Sequence, residues 1–151
     1  MTVDNWDFSF EATNDVSGRL SDYKGQWVVL YFYPRDATPG CTTQGQDFRD
    51  MHAKFQDLNT VILGISRDTL KSHERFKEKQ GFPFELIADP EETICLQYDV
   101  MKDKNMYGKK VRGIERSTFI FNPEGEMVQE WRKVKVPGHV TEVLQWIEDQ
   151  K

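Results

Sequence analysis

Two stretches of the chain are apolar without alternation, Trp27-Val28-Val29-Leu30-Tyr31-Phe32-Tyr33 and Thr60-Val61-Ile62-Leu63-Gly64-Ile65-Ser66. A strand covered on one face alternates apolar and polar side chains. Unbroken runs of this length therefore predict central strands buried on both faces. Between them, Phe48, Met51 and Phe55 recur at helical spacing and predict one helix that opens at Thr38. After the second run, Asp68 or Thr69 caps a charged helix reaching about Gln80, with Leu70, His73 and Phe76 on its inner side.

The pattern continues to the C-terminus. Glu85 to Ala88 reads as a short strand. Asp89-Pro90-Glu91-Glu92 then opens a helix that carries Ile94, Cys95 and Tyr98. Asp103 to Arg112 is polar and reads as a loop. Thr118 to Phe121 and Glu126 to Trp131 flank the turn signal Asn122-Pro123-Glu124-Gly125 and predict a hairpin. Val140, Val143, Leu144 and Ile147 mark a last helix. Ahead of the first run, Trp6, Phe8, Phe10, Val16 and Leu20 anchor a short edge hairpin that leads to a turn at Lys24-Gly25. Strands separated by helices, closing with a hairpin and a helix, predict an α/β fold. Its mixed central sheet is flanked by helices on both faces and carries an N-terminal hairpin extension. The 151 residues suffice for one domain, 1–151, with a sizeable core.

Composition narrows the function. A formal charge of −5 argues against nucleic-acid and anionic-membrane partners, and the basic clusters at 132–135 and 102–110 read as solvated surface. No run approaches the roughly 18 apolar residues of a membrane span, and no basic segment precedes an apolar one at the N-terminus, so the expected location is cytoplasmic. Two cysteines far apart do not form a secreted disulfide framework. His52, His73 and His139 are scattered and neither cysteine has a spaced ligand neighbour, so no metal and no cofactor is expected.

The chemistry concentrates where the first strand stops. Pro34 ends the apolar run, a polar loop follows, and Thr38-Pro39-Gly40-Cys41 opens the helix. Thr38 suits an N-cap and Pro39 the first helical position, where a missing N–H costs nothing. Cys41 then lies in the first turn, among unpaired amides and the positive end of the helix dipole. Such a setting can pull a thiol from about 8.5 to well below neutrality and make it nucleophilic. A small buried hydrophobe at a helix start is the bland alternative.

Pro34-x-x-x-Thr38-x-x-Cys41 resembles the active-site motif of the peroxiredoxins. The fuller stretch from Tyr31 through Cys41-Thr42-Thr43 to Asp47-Phe48-Arg49-Asp50 is similar to their peroxiredoxin Q branch, also called bacterioferritin comigratory protein. Leu20 to Gly25, Gly64 to Asp68 and Arg116 to Phe119 extend the likeness almost end to end. The resemblance implies a thioredoxin-like fold and a thiol peroxidase that reduces hydrogen peroxide and organic hydroperoxides through a Cys41 sulfenic acid. Thr38, Pro39 and Arg116 would complete the catalytic site, with Gly40 and Tyr33 against the substrate. The branch resemblance also favours a monomer or weak dimer.

One departure stands out. Many members of the branch carry a resolving cysteine five residues after the first, here Gln46; others carry it in the next helix, aligned to Lys77. Cys95 is the sole other thiol, and a buried core cysteine is its ordinary role. The expectation is a one-cysteine cycle resolved by an external thiol, thioredoxin or glutaredoxin with glutathione. The alternatives are an atypical two-cysteine cycle through Cys95 and a non-catalytic thioredoxin-fold binding or chaperone module. A dithiol oxidoreductase is poorly supported, because Cys41-Thr42-Thr43-Gln44 lacks the second cysteine of Cys-x-x-Cys.

Overall fold

The structure, a computed structural model, describes residues 6–151. Phe10 and Ala12 face inward along β1 (Ser9–Ala12), which forms a hairpin with β2 (Ser17–Arg19). A turn of 3-10 helix, Leu20–Tyr23, leads into β3 (Trp27–Phe32). The helices α1 (Pro39–Asp50) and α2 (His52–Asp57), strand β4 (Thr60–Ser66), helix α3 (Leu70–Gln80) and strand β5 (Glu85–Ala88) follow. The chain continues through α4 (Thr93–Gln97), β6 (Met101–Met106), β7 (Lys109–Ile114), β8 (Ser117–Phe121), β9 (Met127–Trp131) and α5 (His139–Glu148).

Seven strands form the main sheet in the order β2-β1-β5-β4-β3-β8-β9. The two unalternating runs become its centre. β3 pairs in parallel with β4, β4 pairs in parallel with β5, and the flanking strands are antiparallel. Successive side chains of β3 feed different cores because strand side chains alternate faces. Val28, Leu30 and Phe32 pack with Cys95, Tyr98 and Phe119, whereas Val29 and Tyr31 pack with Cys41, Phe48, Phe55 and Ile147. α1 lies against α3 and α5 on the second of these faces.

Three elements differ from the sequence expectation. The helix predicted through Phe55 breaks at Met51 (φ −103°, ψ 6°), giving α1 and α2. Phe48 and Phe55 still face the sheet on either side of the break, with ring centroids 5.9 Å apart. Their seven-residue spacing fits a continuous or a broken helix equally. The helix expected from Asp89 onward is shorter and begins at Thr93. Asp89 caps it from a distance: its two carboxylate oxygens accept from the Ile94 (3.2 Å) and Cys95 (2.8 Å) amides. The expected loop at 103–112 is instead the β6–β7 hairpin, closed by Tyr107 (φ 54°) and Gly108 (φ 80°). Two successive positive φ values suit the right-handed twist of a two-residue hairpin turn. The hairpin stands apart from the main sheet and most of its side chains are exposed or half-buried, so no apolar alternation announces it.

Close packing between α1 and the segment after α3 makes one position sensitive. A Cβ on Gly45 would stand 2.3 Å from Cζ of Phe82, whose ring is buried between Phe84 (5.0 Å) and Phe76 (5.1 Å). Gly45→Ala gains a little helix propensity but forces this cluster apart, at about 1–3 kcal/mol. We expect its melting temperature to fall by roughly 5 °C. An unchanged thermal transition would mean that the Phe82 ring has room to swing.

Candidate active site

β3 runs into the site and Pro34 stops it, but the Tyr33 amide still bonds the Ile65 carbonyl (3.1 Å). The loop beyond is held by a buried polar network. The Asp36 carboxylate accepts from the Tyr33 hydroxyl (2.6 Å) and the Ser72 hydroxyl (2.7 Å), and stands 2.7 Å from His73 Nδ1. His73 Nε2 lies 2.9 Å from the Ile87 carbonyl, which can only accept, so this nitrogen donates. The Asp36 amide in turn bonds Asp68 (2.9 Å), which also takes the Ser66 hydroxyl (2.6 Å). Burial, with the Asp36 carboxylate beside it, pushes the Tyr33 hydroxyl well above its ordinary pKa and keeps it a donor. Ala37 then adopts φ 63°, a strained turn for a residue with a Cβ, and delivers the chain to α1.

Thr38 occupies the N-cap position, as its place before Pro39 predicts, but its hydroxyl does not accept from the helix. It donates to the Arg35 carbonyl (2.9 Å). Pro39 is exposed at the first helical position. The next two amides, of Gly40 and Cys41, belong to the helix start and lack intrahelical acceptors. Cys41 is only 2 % exposed.

Arg116 reaches this thiol from across the sheet. Ser117 is paired with Phe32, so the residue just before β8 falls beside the end of β3 where the active loop departs. Its guanidinium forks: Nη2 lies 3.5 Å from Cys41 Sγ, and Nη1 donates to Gln44 Oε1 (2.5 Å). Gly40 makes room, since a Cβ there would stand 3.2 Å from Nη2. Gln44 is a neighbour of the thiol that the motif does not mark. Its signal was available, because a residue three after Cys41 shares its helical face. Gln44 is fully buried, and among the described residues its Nε2 has no hydrogen-bond partner. Lys104 of β6 is a second neighbour that the motif does not mark. Burial, and then the charge of Arg116, lower its pKa, while a thiolate at Cys41 acts in the opposite sense.

Cys95 belongs to the other core, on the far side of the sheet, and is completely buried. Burial, with the Asp89 carboxylate beside it, raises its thiol far above the ordinary range. The structure thus brings Cys41, Arg116, Gly40, Pro39 and Thr38 into one corner and leaves Cys95 outside it. Tyr33, expected against the substrate, is instead buried in the core with its hydroxyl turned to Asp36 and His73. Asp36, Asp68 and His73 place ligand-type atoms within 4.8 Å of one another. Both oxygens of Asp36 and both nitrogens of His73 already face protein partners.

Residues 4–130 match the AhpC/TSA family. Peroxiredoxin Bcp of Xanthomonas campestris is 51% identical over 139 residues, covering 92% of this chain and 87% of that one. Peroxiredoxin Bcp of Bacillus subtilis is 49% identical over 143 residues, covering 95% and 91%. The chain belongs to the AhpC/TSA family. Within it, this peroxiredoxin falls in the Bcp, or peroxiredoxin Q, branch, and it is a thiol peroxidase with a peroxide substrate and a thiol reductant. Solved structures agree on the thioredoxin-like peroxiredoxin fold. A Xanthomonas campestris bacterioferritin comigratory protein, studied for its alkyl peroxide reduction activity, superposes with a TM-score of 0.90 at 48% identity, covering 95% of this chain and 91% of that one. Xanthomonas campestris peroxiredoxin Q gives a TM-score of 0.89 at 49% identity, covering 94% and 90%. Among the described residues, no helix is long and apolar enough to cross a membrane.

Proposed function

We propose that Cys41 is the peroxidatic nucleophile of a one-cysteine cycle. The observation that carries this reading is the guanidinium of Arg116, 3.5 Å from Sγ of a thiol that is almost wholly buried. The thiolate attacks one oxygen of ROOH, the S–O bond forms as the O–O bond breaks, and a proton converts the departing RO⁻ to alcohol or water. Cys41 is left as a sulfenic acid. Arg116 holds negative charge first on sulfur and then on the departing oxygen, where a fixed donor in a dry site is worth most. The Gly40 and Cys41 amides supply further donors. Pro39 contributes no N–H to compete for the thiolate and screens it from water. The Thr38 hydroxyl spends its proton on Arg35, so its oxygen is free to accept from the peroxide O–H. Gln44 is a positioning residue that holds the guanidinium fork, and Tyr33 acts through the loop it anchors.

The substrates are hydrogen peroxide and organic hydroperoxides, the latter supported by the alkyl peroxide reduction studied in the Xanthomonas campestris protein. The sulfenic acid is reduced by an external thiol, thioredoxin or glutaredoxin with glutathione. The support is the place of Cys95 across the sheet, since a disulfide needs Cα atoms within about 7 Å. The protein acts as a single domain, 1–151, in the cytoplasm, as a monomer or weak dimer.

The test is to treat the protein with one equivalent of hydrogen peroxide in the presence of dimedone and to map the label by mass spectrometry. The label is expected on Cys41 alone, and Cys95→Ser is expected to turn over peroxide within about twofold of wild type. An intramolecular Cys41–Cys95 disulfide, or a Cys95→Ser variant that stalls after one turnover, would overturn the one-cysteine cycle.

A further inference from the structure

A cycle without an internal resolving thiol must admit an outside sulfur to Cys41, and the surface beside the active loop is shaped for one chemical kind of visitor. An open groove of about 580 Å³ runs between the loop before α1 and α3. Arg35 and Ala37 line it from one side of Cys41 in the chain and Thr42 from the other; Arg75 and Lys79 line it from α3. The walls of the groove are thus the two flanks of the turn that carries the thiol.

The charges in the groove are unequal in their commitments. Its carboxylates, Asp36 and Asp68, are occupied within the network: Asp36 by Tyr33, Ser72 and His73, and Asp68 by Ser66 and the Asp36 amide. Asp36 is buried as well. Arg35, Arg75 and Lys79 are exposed, and among the described residues none of their three side chains takes part in a hydrogen bond or an ion pair. The chain as a whole is acidic, with a net charge of −5, yet these cations are left without an acid partner. Three uncommitted ones around a concavity make an electrostatic funnel for a small anion.

We propose that this groove binds a low-molecular-weight thiol bearing carboxylates and delivers its sulfur to the oxidised Cys41. The inference rests on the one-cysteine cycle proposed above. Arg35, Arg75 and Lys79 hold the carboxylates while the thiol end lies against Ala37 and Thr42. The first turn of α1 has no side-chain cap: the Thr38 hydroxyl makes no capping bond, and Gly40 follows within the turn. Opening of that turn exposes the sulfur on the groove side, a local fraying of the kind helix ends undergo. The bound thiolate attacks the sulfenic sulfur, an S–S bond forms as the S–O bond breaks, and with one proton the hydroxyl leaves as water. A second molecule of the same thiol then attacks the mixed disulfide, which releases the Cys41 thiolate and the oxidised low-molecular-weight disulfide.

The experiment separates the two half-reactions. Cys41 is first oxidised by one equivalent of hydrogen peroxide, and sulfenic acid formation is scored by dimedone trapping. The oxidised protein is then mixed in stopped flow with glutathione, 2-mercaptoethanol or cysteamine, each rate being expressed per thiolate, the attacking form. Wild type is expected to favour glutathione over cysteamine, and the preference is expected to shrink at high salt. Arg75→Glu/Lys79→Glu is expected to lower the glutathione rate about tenfold or more while the 2-mercaptoethanol rate holds, and this neutral thiol also reports whether the variant is folded. A wild type that shows no glutathione preference, or a double variant that keeps it, sinks the groove while the peroxidase reading stands. Absence of a sulfenic acid at the first mixing sinks both.

Discussion

Cys41→Ser is expected to show no measurable peroxide turnover with thioredoxin or with glutaredoxin and glutathione, a loss of at least roughly 10³-fold. A serine oxygen at this position would still face Arg116, but a hydroxyl is far weaker as a nucleophile than a thiolate, and the site holds no general base against Sγ among its described contacts. The substitution is nearly isosteric, and Cys41 packs in a core with Val29, Tyr31 and Phe48, so the fold is expected to survive. Circular dichroism and a thermal scan check that. Retention of even a tenth of wild-type turnover would mean that another group attacks the peroxide, and the site would have to be sought elsewhere.

Arg116→Ala is expected to slow oxidation of Cys41 by about 10²- to 10³-fold, the cost of removing one preorganised donor from a site of developing charge. The measurement is the second-order rate of sulfenic acid formation, taken apart from the reductive half-reaction. A stability cost accompanies it. Loss of the guanidinium leaves buried Gln44 with neither end of its amide paired, at about 1–3 kcal/mol. Arg116→Lys restores a charge but not the fork. A single ammonium cannot reproduce the planar pair of donors that meets Sγ and Gln44 Oε1 together, so only partial rescue is expected. An Arg116→Ala variant oxidised within threefold of the wild-type rate would remove Arg116 from the mechanism.

The placement of the candidate thiol was legible in the sequence because its signal is local. A strand stopped by Pro34, a loop, and Thr38-Pro39-Gly40 before a cysteine specify a thiol in a helix's first turn whatever else the chain does. The structure kept that placement and altered a detail within it, sending the Thr38 hydroxyl to Arg35 instead of the helix amides. The network behind the loop was not legible. His73 read as one of the inward residues of α3, and nothing in its spacing says that its ring would meet Asp36, which is 37 residues away and reached over the top of two parallel strands. The β6–β7 hairpin escaped for the opposite reason. Its strands bury little, so they carry no apolar pattern, and the backbone pairing that defines them leaves no compositional trace.

By itself, the sequence determined the central strands, the start of the helix after the first of them and the cysteine in its first turn, because each follows from side-chain chemistry within a few residues. Tertiary structure decided which distant groups reach that turn. The register of β8 against β3, with Ser117 opposite Phe32, carries Arg116 to the sulfur from 75 residues away. The packing of α1 and α4 on different faces of the sheet sends Cys41 and Cys95 to separate cores. A pleated sheet assigns faces by parity and neighbours by register, and both quantities are fixed only when the strands pair.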